Sequence, residues 1–204
     1  MNESSSSGLN TDNSICSKET INSSISFERD SPISEDKKKL IIKSISKNLK
    51  EIIKENIQNN QMAYVRNDFF YYSQIPEISL DDYINRIFKN TKMNISSLIS
   101  AIIYIDRFCE LNRYVLCMNN IYRIFLTACL LSIKFNEDIN NNIKYYAQIA
   151  GIPVYDLNNL ELYLFFKLKC SLYVDYDIYQ SYFEYFCKQL WLKKWNTWNK
   201  YKKK

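Results

Sequence analysis

The chain has 204 residues, a formal net charge of +5, two glycines, three prolines and no histidine. That length holds one domain with a real core plus a tail rather than two domains, and so few chain breakers point to an all-α protein. The missing histidine excludes the commonest general base, Ser–His and Cys–His nucleophiles and most zinc sites, while neither GxxxxGK[ST] nor GxGxxG occurs to cradle a phosphate.

Residues 1–34 are rich in Ser, Asn and Thr, bury too little surface to offset ordering, and read as a disordered leader. A first helix is predicted over 35–58, with Ile41, Ile45, Leu49, Ile52 or Ile53, and Ile57 on one face. It would be stable only when docked on something apolar. Residues 59–78 form a connector in which Phe69, Phe70, Tyr71 and Tyr72 anchor to the body. Ser79 and Asp82 have capping-box spacing: the serine hydroxyl meets a free amide and Asp82 reaches back. The helix they open, 80–90, buries Leu80, Tyr83, Ile84, Ile87 and Phe88.

Asn94 caps the next helix, 95–111, with Leu98, Ile99, Ile102, Ile103 and Phe108 inside. The stretch 120–138 follows. Ile121, Ile124, Phe125, Ala128, Leu131 and Phe135 recur at three- and four-residue steps, and Leu126, Leu130 and Ile133 lie off that stripe. Such a helix is apolar nearly all round and belongs at the centre of a bundle. Its last turn carries Lys134, followed by Glu137 and Asp138. A helix over 141–150 ends at Gly151 and is kept from resuming by Pro153. The next, 156–169, buries Leu157, Leu160, Leu164, Phe165 and Leu168. A last helix, 177–198, is aromatic: Tyr179, Phe183 and Phe186, then Trp191, Trp195 and Trp198. Docking on the bundle is expected of it, and a partner- or membrane-binding role stays open because tryptophan beside lysine suits both. A basic tail closes the chain.

The six cysteines form no CxxC pair and read as free thiols in a reducing compartment. No apolar run approaches the ~20 residues of a membrane span, so a cytoplasmic or nuclear protein is expected. The acid pairs Asp81–Asp82 and Glu137–Asp138 diverge on a helix and form no acid–base dyad. No catalytic residue, cofactor, metal or small-molecule substrate is therefore expected. Lys134 and Glu161 emerge at one end of the bundle if their helices pack side by side. An edge salt bridge worth about 0–1 kcal/mol and a charged pair that fastens a partner helix, with Phe135 supplying apolar area, are the two readings.

The stretches ISLDDYINRI (78–87), AIIYIDRF (101–108), NIYRIFLTACLLSIKF (120–135), NNNIKYYAQIAGI (140–152) and DLNNLELYLFFKL (156–168) resemble, in that order, a cyclin box. The likeness is to the single-box P-type (U-type) group. It implies a five-helix box at 78–174, preceded by an N-terminal helix and connector at 35–77 and followed by an aromatic C-terminal helix and basic tail at 175–204. It also implies a function: a regulatory subunit that binds and activates a cyclin-dependent-type protein kinase, with a role in the cell cycle. In this resemblance Lys134 and Glu161 contact the kinase near its C-helix, Asp138 faces it, and Phe135 is an apolar anchor.

The chain departs from the family pattern in places. PEISL (76–80) stands where groove-bearing cyclins have an MRAIL-like segment, so docking of RxL-type substrates is not implied. Glu77 replaces the arginine that usually pairs with the aspartate of YIDRF, so Asp106 needs another cation, with Arg86 and Arg123 as candidates. Tyr122 replaces a usual histidine. Two other readings stay open: a cyclin-box module that binds nucleic acid, supported by the basic tail, and a scaffold that recruits a kinase to a membrane through the tryptophan-rich helix. Neither nucleic acid nor a membrane is the expected partner.

Overall fold

The apolar periodicities become helices with definable ends. The computed structural model describes residues 33–61, 68–138 and 141–188. The leader up to Pro32, the tryptophans and the basic tail lie outside the described residues. Helix α1 is Glu35–Gln58, opened by Ser34, whose side chain accepts from the Lys37 amide, with Glu35 and Asp36 at the positive end of the helix dipole. Helix α2 is Leu80–Thr91. The Ser79 hydroxyl accepts from the Asp82 amide and donates to the Asp82 carboxylate, so Asp82 reaches back to the hydroxyl.

Helix α3 is Ile95–Asn112 and α4 is Ile121–Asn136. Asn94 has the extended backbone of a cap but makes no side-chain cap bond. Its amide instead donates to Glu137 Oε1 at 2.9 Å, which ties the end of α4 to the start of α3. Helix α5 is Ile143–Ala150, two residues shorter than the periodicity predicts, because Asn142 serves as its cap and accepts from the Tyr145 amide. Gly151 ends it at φ 73°. Helix α6 is Val154–Lys167 and starts two residues before its predicted position, directly after Pro153. It stops early because Lys169 and Cys170 turn to positive φ. Helix α7 covers 176–188. No strand occurs among the described residues, and the fold is all-α.

Helix α4 is the centre. From Ile121 to Ile133 only Arg123 is not fully buried, and the helix packs on α2, α3 and α6. Hydroxyls then fasten neighbouring segments to this frame. Ser132 Oγ donates to the Ser97 carbonyl at 2.7 Å, and the Tyr122 hydroxyl to the Ile78 carbonyl at 2.8 Å. The Tyr104 hydroxyl holds the Leu172 carbonyl at 2.7 Å.

In the connector only one of the four aromatic anchors is fully buried. Phe70 meets Phe108 and Tyr163 edge-on at 5.5 and 5.4 Å, while Phe69 and Tyr72 stay exposed. Asp68 accepts from the Phe70 amide and from the Tyr114 and Tyr163 hydroxyls, closing the connector over this cluster.

Asp106 does not find either expected arginine. Its described partner is the Tyr182 hydroxyl, because α7 crosses α3 and puts a phenol there. Burial first, then the hydrogen bond to Asp106 and its charge, push the Tyr182 phenol well up. Arg123 is engaged elsewhere: it donates to the Phe69 carbonyl at 2.9 Å, lies 3.8 Å from Asp156 and stacks over Tyr72. Arg86 sits at an exposed position on α2.

Two outcomes test this packing. Phe125 is fully buried at the centre of α4, so Phe125→Ala is expected to cost about 3–5 kcal/mol, read from urea unfolding. Among the described thiols Cys170 is exposed, whereas burial pushes Cys109 up to about 12 and Cys129 higher still. Among these five thiols, native-state maleimide labelling near pH 8 should mark the exposed Cys170 first and the buried Cys129 last.

Candidate functional site

The site is assembled where a buried helix comes to its end. α4 is hidden for three turns, and in the fourth its side chains reach the surface. Lys134 is there, in the turn where a cation complements the negative end of the helix dipole. α6 packs along α4 through Leu157, Leu160 and Leu164, all buried. The side of α6 next to that stripe carries Glu161.

The two side chains meet. Lys134 Nζ donates to both carboxylate oxygens of Glu161, at 2.6 and 2.8 Å. The lysine side chain is 38% exposed and the glutamate 16%. An ammonium has three donors and a carboxylate about four acceptor sites. The pair therefore keeps hydrogen-bonding capacity for a third group.

Around the pair lies a shallow pocket of about 240 Å³, lined by Leu131, Phe135, Leu162, Phe165 and Leu172 besides the two charges. Phe135 is 52% exposed and Leu162 55%. Large apolar side chains left open around a charged pair have the make-up of a docking surface: area from the rings, orientation from the charges. Lys134, Glu161 and Phe135 thus share one pocket. Asp138 stands apart from its lining, exposed two residues beyond α4.

Leu162 is a member of this surface that the periodicity does not single out, and Phe165, expected in the core, is only half-buried and lines the pocket. The available signal is that α6 carries more apolar residues than its buried stripe can use. Among the described residues no cluster of His, Cys, Asp or Glu is arranged to hold a metal, and no helix is long and apolar enough to cross a membrane.

The family model described as Cyclin matches residues 9–175. The chain is similar to cyclin-U2-1 of Arabidopsis thaliana, 33% identical over 129 residues, or 63% of this chain and 58% of that protein. It is also similar to cyclin-U3-1 of the same plant, 39% identical over 100 residues, covering 49% of this chain and 45% of that one. To cyclin-P3-1 of Oryza sativa subsp. japonica it is 31% identical over 121 residues, 59% of this chain and 50% of that one. The chain spans about half the length of the curated relatives it matches.

A pair this close to solvent holds little of the fold. Lys134→Met should lower stability by no more than about 1 kcal/mol and leave the circular dichroism spectrum unchanged; a loss of helicity would make the pair a structural tie.

Proposed function

The chain belongs to the cyclin family, and we propose that it is the regulatory subunit of a cyclin-dependent-type protein kinase, contacting that kinase through the Lys134–Glu161 face. The observation that carries the reading is the joined pair itself, set among the exposed Phe135 and Leu162. In this reading α2 to α6 are the five helices of the box at 78–174, α1 and α7 flank it, and Asp138 adds a charge at the edge of the contact.

The mechanism is allosteric. Docking a kinase C-helix on this face holds it inward, where its glutamate pairs with the lysine that orients ATP. Burying one of the exposed rings contributes about 1.5–3 kcal/mol, and the remaining hydrogen-bond capacity of Lys134 and Glu161 sets the register. This chain supplies no catalytic group and binds no small-molecule substrate or cofactor; it acts in the cytoplasm or nucleus, by positioning its partner.

The test is affinity purification of the native chain from its own cells with mass spectrometry of what it retains. The control is the double swap Lys134→Glu with Glu161→Lys, which preserves the internal ion pair and reverses the charges shown to a partner. The expected result is a kinase enriched with the native chain and reduced at least about tenfold, or 1.4 kcal/mol, with a swap of unchanged helicity. Recovery of no kinase, or equal recovery with the swap, overturns the reading.

A further inference from the structure

A second cavity, of about 440 Å³, lies between α1, α3 and α7, away from the α4–α6 face. Its walls are apolar, with Leu49 and Ile52 from α1, Ile105 from α3 and Phe186 from α7. Asp106 is the one lining residue with a formal charge, and the described contact to it is a phenol hydroxyl rather than a cation. The volume falls within the usual range for ligand pockets, and an apolar lining with a few placed polar groups is their usual make-up. One carboxylate beside apolar walls selects an apolar or aromatic group joined to a cation.

We propose that this pocket receives the chain's own residues 189–204, with tryptophan filling the apolar part and lysine meeting Asp106. The segment has the matching chemistry: Trp191, Lys193, Lys194, Trp195 and Trp198 follow one another within eight residues. It also has the reach. The α7 lining residues Ser181 and Phe186 are roughly 8 Å apart along the helix, while the chain from Lys188 to Trp195 can extend roughly 23 Å. The proposal thus has the chain leave the helix after Lys188, in place of the helix expected to run to 198, and turn back over the cavity. A short tether gives an effective concentration on the order of millimolar, so even a weak site is filled from within the chain before a free peptide competes. The inference does not depend on the kinase reading, since pocket and kinase face share no residue.

The chain's three tryptophans all lie in this segment, so tryptophan fluorescence of the full chain reports on it alone. The native chain should show blue-shifted emission and protection from acrylamide, both unchanged by dilution. Ser181→Phe places a ring on the lining from an exposed position and should shift emission to the red and remove the protection at unchanged helicity. Asp106→Asn, which removes only the charge, should lose part of the protection and supplies the answer if Ser181→Phe fails to fold. Solvent-like emission in the native chain overturns the proposal. So does protection that neither variant alters, which places the segment elsewhere, or protection lost on dilution, which makes the occupant a second copy.

Discussion

The rest of the structure depends on the need to surround α4. A helix that is apolar on every side loses free energy wherever it touches water, so it must be packed from all directions. Helices α2, α3 and α6 do this, and their positions follow from α4 more than from one another. The approach of α3 is close, since the short Ser132 side chain reaches the carbonyl of Ser97. Small residues such as Ala101, Ala128 and Ser132, all buried, leave the room for it. The Ser97 hydroxyl itself is buried without a hydrogen-bond partner among the described residues.

Where α4 ends, the same constraint produces the site. The helix can show Lys134 and Phe135 only because its neighbours stop covering it there. α6 then supplies Glu161 at the matching height because it is already packed alongside. The exposed charged pair and its apolar surround are thus a by-product of how the core terminates. The pair contributes little to folding and remains available for recognition. Glu137 has the opposite use: it is taken up by the Asn94 amide and holds the end of α4 in place while leaving Asp138 free of that task.

Loops and flanking helices are attached by polar groups directed at backbone. Arg107 donates to the carbonyls of Ser171 and Tyr173, and Tyr104 to that of Leu172, so the chain leaving α6 is led across α3 toward α7. Asn119 and Tyr72 exchange two bonds, from the Tyr72 amide to the Asn119 carbonyl and from the Asn119 side chain to the Tyr72 carbonyl. These contacts satisfy backbone groups that irregular segments would otherwise leave unpaired. Helix α1 is tied separately, by Asn56 donating to the Leu116 carbonyl and Asn48 to the Tyr185 hydroxyl, and the second pocket, between α1, α3 and α7, shares no lining residue with the first.

The all-α class, the existence of each helix, the central rank of α4 and the stops at Gly151 and Pro153 were legible in the sequence, because each rests on local periodicity or local backbone preference. So was the possibility that Lys134 and Glu161 meet, given helices side by side. What the tertiary structure decided was the choice of partner. Asp106 took a tyrosine from 76 residues away rather than an arginine, Arg123 was claimed by the connector and α6, and Asn94 yielded its amide to Glu137 instead of capping with its side chain. Phe165 fell in the lining of the α4–α6 pocket and only half in the core. A residue's neighbours along a helix are set by a repeat of 3.6, but its neighbours across the bundle depend on how separate helices cross and rotate, and a single sequence does not carry that geometry.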